Sequence, residues 1–422
     1  MQIKKIFDTF KQNQTAKVLL GNFTYLSILK CLGLLFPLIT YPIVIRTVGA
    51  EKYGLVVYAH AIISYFIVFI NFGFDVSATR KCSENRGDKV RLSIIYSSVI
   101  LLKASLFLIA LFITIPILFL THYDHTILLL FLLGLCLQEI FFPIWLFQGL
   151  EVMKYITIIS FASSCLYVIL LLLFIKDESD YYLIAIFQSL GGILTSILSS
   201  IFLRKQFGVR FVRVSFSQLK LDFKESVPFF ASRFSAIVME KSNVLVIGHF
   251  FSYNMVAIYD LCAKIVSMLQ MPFSLVAQVL YPNVAKTKNM SLVKRLIKPV
   301  LGTALLMCLL TICFSKYIVL LLGGSELLPA IPILCLMVWY APLVGVNYLL
   351  GASTLVVCGY SKQYNLSVIY SVMFYLAIVG FLIACGWVNL YTMALSFVLP
   401  ELFVTCYRSY VTKKNNLLNS SK

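Results

Sequence analysis

Five basic side chains stand inside apolar runs, where a positive charge is hardest to keep: Lys30, Lys103, Arg233, Lys241 and Lys264. Four carboxylates share such surroundings: Glu139, Glu240, Asp260 and Glu401. Lys30 lies twelve residues into the first apolar stretch, roughly 18 Å along a helix rising about 1.5 Å per residue. A charge at that depth costs roughly 3 kcal/mol, and it is too central for its stem to snorkel to the headgroups. Such side chains must face protein or a wet cavity. A lysine ammonium is a compact point charge suited to phosphate, so the five cations could line a cavity for a phosphate or an acidic sugar. Glu139, Glu240 and Asp260 could carry a coupling proton beside it; the alternative is a fixed ion pair, which would hold the carboxylate charged. Asp260 and Lys264 are four residues apart, so one helix face can pair them. Arg233 and Glu240, seven apart, share a stripe, whereas Lys241 points about 100° away and needs another partner. For Lys30 and Lys103 the first half of the chain offers Glu139 as counter-charge.

The elements that must position these groups follow from composition. Of 422 residues, 60% are hydrophobic and 12% charged, with a mean hydropathy of +0.93. Charged residues make up about a quarter of an ordinary globular chain, so lipid is the expected solvent for most of this surface. The net charge of +18 does not point to nucleic acid, because the basic residues fall into short loops rather than one stripe. The eleven cysteines form no disulfide framework. Cys31, Cys136, Cys165, Cys262, Cys308, Cys313 and Cys335 lie in apolar runs and read as small buried hydrophobes. No C-x-x-C or His-rich cluster suggests a metal, and no cofactor is expected. The opening MQIKKIFDTFKQNQTAK has neither an apolar core nor a small-residue cleavage site, so no removable signal peptide is expected.

A helix needs roughly 20 apolar residues to cross about 30 Å of hydrocarbon. That rule places twelve spans near 18–42, 54–74, 92–120, 126–147, 156–175, 182–203, 227–250, 255–281, 296–322, 329–350, 366–385 and 390–410. Basic residues test the count, since they collect in cytoplasmic loops. Alternate loops and both ends hold 26 of the 35, while the opposite side receives only Arg46, Lys52, Lys176 and Lys316. Both termini are therefore expected to be cytoplasmic.

The longest interruption, RKQFGVRFVRVSFSQLKLDFKE at 204–225, is basic and amphipathic and is expected to lie on the cytoplasmic surface. It divides an N-terminal lobe, 1–203, from a C-terminal lobe, 226–422, with six spans each. Val44-Ile45 and Leu55-Val56-Val57-Tyr58 echo Leu245-Val246 and Val256-Ala257-Ile258-Tyr259 at a constant shift of 201. That echo fits parallel repeats with substrate between them near the midplane. The expected fold is thus an all-α polytopic membrane protein, with two six-helix lobes around a central cavity.

Four stretches resemble one family. FFPIWLFQGLEVMKYITI at 141–158 looks like the fourth-helix signature of the polysaccharide transport family, the Wzx-type O-antigen flippases of the multidrug/oligosaccharidyl-lipid/polysaccharide exporter superfamily. INFGFDVSATRKCSENRGD at 70–88, YPIVIRTVGAEKYG at 41–54 and VLYPNVAK at 279–286 are similar to other parts of that family, and the likeness runs over essentially the whole chain. Read physically, Trp145 is an interfacial anchor, Gln148-Gly149 ends a helix, and Glu151 with Lys154 occupies a cytoplasmic turn. The resemblance implies a multi-pass protein of the inner membrane. It would move an oligosaccharide on undecaprenyl pyrophosphate from the cytoplasmic to the periplasmic leaflet by alternating access, with proton or sodium antiport. A polysaccharide polymerase and a chain-length regulator are implied partners, beside membrane lipid. A sugar headgroup cannot cross hydrocarbon unaided because its hydroxyls would lose their hydrogen bonds.

Three rival readings remain. A drug/cation antiporter or a peptidoglycan-precursor flippase belongs to the same superfamily, but the intramembrane lysines favour an anionic substrate. An O-antigen polymerase or membrane glycosyltransferase would need a sizeable periplasmic loop, and the most polar connections on that side, HYDH at 122–125 and KDESD at 176–180, are short. No Ser-His-Asp set, zinc motif, phosphate loop or dinucleotide fingerprint is present, so an enzyme is not expected. A purely structural subunit would not retain central charges.

Overall fold

The computed structural model describes residues 14–120 and 124–418. These residues fold almost entirely as helices. The basic tail with Lys4, Lys5 and Lys11, part of the HYDH connection, and Lys422 lie outside them. The helices are α1 Gln14–Asn71, α2 Phe74–Glu84, α3 Lys89–Leu120, α4 Thr126–Leu132, α5 Gly134–Phe141, α6 Ile144–Gly149, α7 Met153–Phe174 and α8 Tyr181–Phe202. After them come α9 Phe216–Phe250, α10 Tyr253–Thr287, α11 Met290–Cys313, α12 Ser315–Gly323, α13 Ala330–Met337, α14 Tyr340–Leu350, α15 Ser361–Ala384 and α16 Leu390–Lys414. A π-helical turn, Gly351–Val356, follows α14 directly.

Among the described residues ten helices are long and apolar enough to cross a membrane, against the twelve spans expected. Two physical features account for the difference. The 58 residues of α1 would run about 87 Å if straight, but Gly49 breaks them with φ 77° and ψ 160°, a conformation that suits glycine. Helix α9 carries Arg233, Glu240 and Lys241 inside its expected span and fails on composition alone. Large apolar side chains such as Phe112, Leu108, Leu309 and Leu321 are well exposed, as lipid-facing residues are. Cys31 and Cys313 are exposed as well, rather than buried as expected.

The chain forms two compact units. The first joins the described part of Met1–Ile43 to Ala59–Ile237, and the second joins Val44–Tyr58 to Val238–Lys422. The expected lobes, 1–203 and 226–422, differ from these units in two segments, because the tip of the first hairpin packs in the second unit and the start of α9 in the first. The linker expected at 204–225 is only partly helical. Residues 208–215 are non-helical, and residues 216–225 open α9. The non-helical stretch is fixed to α3, with the Arg210 N–H donating to Ser93 Oγ (3.1 Å) and the Val212 N–H to Ser97 Oγ (2.8 Å).

In the first unit the core packs Phe72, Phe74, Trp145, Phe147, Ile156 and Leu203. The span expected at 126–147 divides into α4, α5 and α6, interrupted at Leu133 and at Pro143, whose ring nitrogen cannot donate. Hydroxyls on α8 serve the carbonyls near both breaks: Ser189 Oγ donates to Phe131 O (2.5 Å) and Ser199 Oγ to Phe141 O (3.0 Å). Without such partners these carbonyls would be costly in lipid. The second unit packs Phe273, Val284, Val293 and Leu349 together, with Cys308, Val338 and Ala341 as a smaller cluster.

Candidate functional site

The charged side chains of the first unit fall into three settings. Lys103 on α3 is 1% exposed, and its Nζ donates to Glu139 Oε1 (2.6 Å) and to the Glu139 carbonyl (3.0 Å). Glu139 Oε1 also accepts from Asn71 Nδ2 (2.6 Å). Lys103 therefore does not stand open as a cavity cation, and Glu139 is tied into a network joining α1, α3 and α5. Arg233 on α9 pairs with Asp75 on α2 rather than with Glu240, as its stripe suggested. Its side chain is 52% exposed, and one nitrogen makes that bond, so most of the guanidinium fork is open. The second oxygen of Asp75, Oδ1, is buried without a hydrogen-bond partner among the described residues. Lys30 on α1 is half-buried, and no acidic side chain faces it among the described residues.

Two of the stretches that carry the family resemblance lock onto each other in this unit. Arg86 donates from Nε to the Gly149 carbonyl (2.8 Å) and pairs through Nη2 with Glu151 (2.7 Å). Gly149 lies against Cys82, whose Cβ a side chain there would meet at 2.5 Å. Trp145 is 2% exposed and belongs to the core. It is no interfacial anchor, because α6 is enclosed by α2 and α7. Nearby, Lys81 pairs with Asp222 (2.5 Å) and Glu225 (3.0 Å), and Asp222 also accepts from Gln218 (2.9 Å) and Ser98.

In the second unit the expected i, i+4 pair is formed: Lys264 Nζ lies 2.6 Å from Asp260 Oδ2. A third member was not anticipated. Tyr53 donates its hydroxyl to Asp260 Oδ2 (2.6 Å) and accepts from Lys264 Nζ (2.9 Å). Tyr53 belongs to the first-hairpin tip, which is anchored by five further hydrogen bonds. Arg46 Nη2 donates to the carbonyls of Leu320 and Leu321 (both 3.1 Å). Ala50 N–H donates to Glu326 (3.1 Å). Glu51 accepts from the N–H groups of Tyr253 (3.3 Å) and Asn254 (2.8 Å), capping the positive end of α10. At Gly54 a Cβ would fall 1.7 Å from the Tyr253 carbonyl. Lys241 finds its partner next door in Glu240 (3.0 Å).

Two further polar groups escaped the sequence reading. Asn243 is fully buried and spends its whole amide: it donates to Tyr259 Oη (2.9 Å) and the Met393 carbonyl (3.1 Å), and accepts from Tyr375 (2.8 Å) and Ser396 (3.2 Å). Arg408, counted with the basic C-terminal end, is instead buried inside the unit. It donates to Ser367 Oγ (3.0 Å) and the Asn347 carbonyl (3.1 Å) and covers the Tyr364 ring at 4.8 Å. Its only sequence signal was being the first basic residue after an apolar run. Among the described residues no group of three or more His, Cys, Asp or Glu side chains could hold a metal.

The chain is 27% identical over 308 residues to a protein of Escherichia coli (strain K12) named "Putative O-antigen transporter", covering 72% of this chain and 74% of that one. A protein of the same name from Shigella dysenteriae is 25% identical over 260 residues, covering 60% and 64%. Among solved structures, an inward-facing multidrug resistance MATE family transporter of the MOP superfamily superposes with a TM-score of 0.74 at 15% identity, covering 92% of this chain and 96% of that one. The lipid II flippase MurJ, in an inward closed conformation, gives 0.73 at 15% identity, covering 94% and 87%. The fold is thus that of the MATE and MurJ transporters, and the chain is a multi-pass protein of the bacterial inner membrane. Residues 19–288 match the family model described as polysaccharide biosynthesis protein, and the chain belongs to that family.

Proposed function

We propose that this protein is a flippase that carries oligosaccharide repeat units linked to undecaprenyl pyrophosphate from the cytoplasmic to the periplasmic leaflet. The family and the relatives named as O-antigen transporters support the class. The single observation that carries the anionic substrate is Lys30, a half-buried intramembrane cation that no carboxylate faces among the described residues. Arg233 is the second contact on this reading, because most of its fork is open beyond Asp75. In the second unit Lys241 is a separate candidate cation, because a pair with its adjacent, exposed Glu240 is weak and easily exchanged. Lys103 and Lys264 hold helices, each against its own carboxylate. Glu139 and Asp260 are spent in the same way, which leaves the exposed Glu240 for ion coupling. The polar side chains take the sugar-phosphate head across while the polyprenyl tail stays in lipid, so no covalent step is needed. A polymerase and a chain-length regulator receive the product.

The test is deletion with glycan analysis. Loss of surface polysaccharide, with repeat units accumulating on cytoplasm-facing lipid carrier, is the expected result. Normal polysaccharide, or accumulation of lipid II instead, overturns the assignment. Complementation with Lys30→Ala should lower surface polysaccharide at unchanged protein level, and full restoration removes Lys30 from the site.

A further inference from the structure

The second unit holds a carboxylate that none of the roles above uses. Glu401 lies on α16, eleven residues past its first residue, Leu390, or about 16 Å into the helix. It is partly buried. Its nearest partners are neutral: Asn347 Nδ2 donates to Oε1 at 2.5 Å, and the Tyr340 phenol is within hydrogen-bonding reach. The nearest cation on its own helix, Arg408, is engaged with Ser367, the Asn347 carbonyl and the Tyr364 ring.

Asn347 on α14 is the joint of this cluster. It is 3% exposed. Its Nδ2 also donates to Thr405 Oγ1 (2.9 Å), yet its Oδ1 is buried with no hydrogen-bond partner among the described residues. A buried acceptor with no donor is unfavourable and asks for an explanation. One donor is missing beside one carboxylate, and a proton on that carboxylate supplies it. Four residues beyond Asn347 the helix becomes the π-helical turn Gly351–Val356, an element that recurs at functional sites. Arg408 fastens that point: it holds the Asn347 carbonyl, and a Cβ on Gly351 would meet Arg408 Nη1 at 2.7 Å.

We propose that Glu401 is a proton-exchange site whose occupancy sets which end of the Asn347 amide it holds, and through Asn347 the packing of the π-helical turn. Ionised, Glu401 is an acceptor and takes the Nδ2 donor. When it gains a proton from water, one O–H bond forms and the carboxyl becomes a donor. The Asn347 amide then rotates to bring Oδ1 to it, releasing the Nδ2 bonds to Glu401 and Thr405. Loss of the proton to water reverses the step. Beyond Arg408 and Tyr340, the titratable groups on the packed elements are Tyr348 on α14, Cys335 on α13, and Lys362, Tyr364, Tyr370 and Tyr375 on α15, with Tyr253, Tyr259, Asp260, Cys262, Lys264, Tyr281 and Lys286 on α10. Asp260 and Lys264 bond each other and Tyr53, and Tyr340 feels Glu240 on α9. The proton site stands on this geometry alone; its use in driving transport rests on the flippase reading.

The full chain, purified in detergent without substrate, tests the site whether or not that reading holds. Infrared difference spectra between acid and neutral pH should contain a carboxyl band that Glu401→Gln removes and Asn347→Ala shifts. Hydrogen exchange over residues 347–356, corrected for its intrinsic pH dependence, should change several-fold across that titration in the unaltered protein. Glu401→Gln, which donates as the protonated acid does, should hold the acid-form exchange at every pH. Asn347→Ala should keep the proton and lose the exchange response. A wild-type spectrum in which Asn347→Ala shifts no carboxyl band, or exchange at 347–356 that is flat with pH, overturns the proposal even if Glu401→Gln fails to fold.

Discussion

The single residues show how context sorts charges of the same kind. Lys103 and Lys30 lie at similar depth in the sequence reading, yet one is sealed against Glu139 and the other is left without a carboxylate. Removing one partner of a sealed pair strands a buried charge, at a cost of about 3–5 kcal/mol. Glu139→Ala should therefore lower the unfolding midpoint in detergent sharply, whereas Lys103→Met combined with Glu139→Leu should recover most of it. If the double variant is no better than the single one, the pair is doing more than neutralising itself. The intramembrane charges were legible in the sequence because a charge breaks an apolar run. Their pairing was legible for Asp260 and Lys264, which one helix brings together, and for Lys103, to which the first half of the chain offered Glu139. Asn71, Asp75 and Tyr53 come from other helices, and nothing in the local pattern marks them as partners.

At the scale of elements, backbone geometry supplies the informative contrasts. Gly73 has φ +78°, and a Cβ there would meet Phe229 Cβ at 2.6 Å, whereas Gly302 on α11 has nothing within 4 Å. Gly73→Ala should destabilise by at least about 1–3 kcal/mol. Gly302→Ala should be neutral or stabilising by up to about 1 kcal/mol. Thermal unfolding of the two variants side by side reads that difference. Glu51 tests the hairpin tip: its carboxylate accepts from two N–H groups at the start of α10. Glu51→Ala should cost about 1–2 kcal/mol and raise hydrogen exchange at Tyr253 and Asn254 above the rest of α10. The expected spans were mostly recovered as helices, but the breaks at Leu133 and Pro143 were not foreseen. A run such as TILLLFLLGLCLQEIFF looks continuous by hydropathy, and the hydroxyls that permit the interruption stand on α8, some fifty-eight residues away.

Across the whole molecule, the basic residues make the strongest statement. On the expected orientation 26 basic residues fall on one side and four on the other, with Arg408 among the 26 although the fold buries it; alkaline phosphatase joined after residue 178 should then be active, and the same reporter joined after residue 206 inactive. Equal activity at both points would refute the expected orientation. The unit boundaries carry a separate lesson. The tip Val44–Tyr58 belongs by its contacts to the second unit although it lies early in the chain. The echo between 44–58 and 245–259 marked the two segments as alike, and the structure adds that they pack against each other, with Tyr58 against Gly248 and Gly54 against Tyr253.

The lipid solvent, the helical class and the costly positions of charge could all be read from the chain alone. Those properties depend on how many apolar residues follow one another, which is a one-dimensional fact. Which charge meets which was settled by the packing of the helices. A pair such as Tyr53 with Asp260, or Asn347 with Glu401, joins residues far apart in the chain, and side-chain distance across a helix interface depends on rotation and register that no local pattern encodes. The orphaned oxygen of Asn347 belongs to that second kind of knowledge.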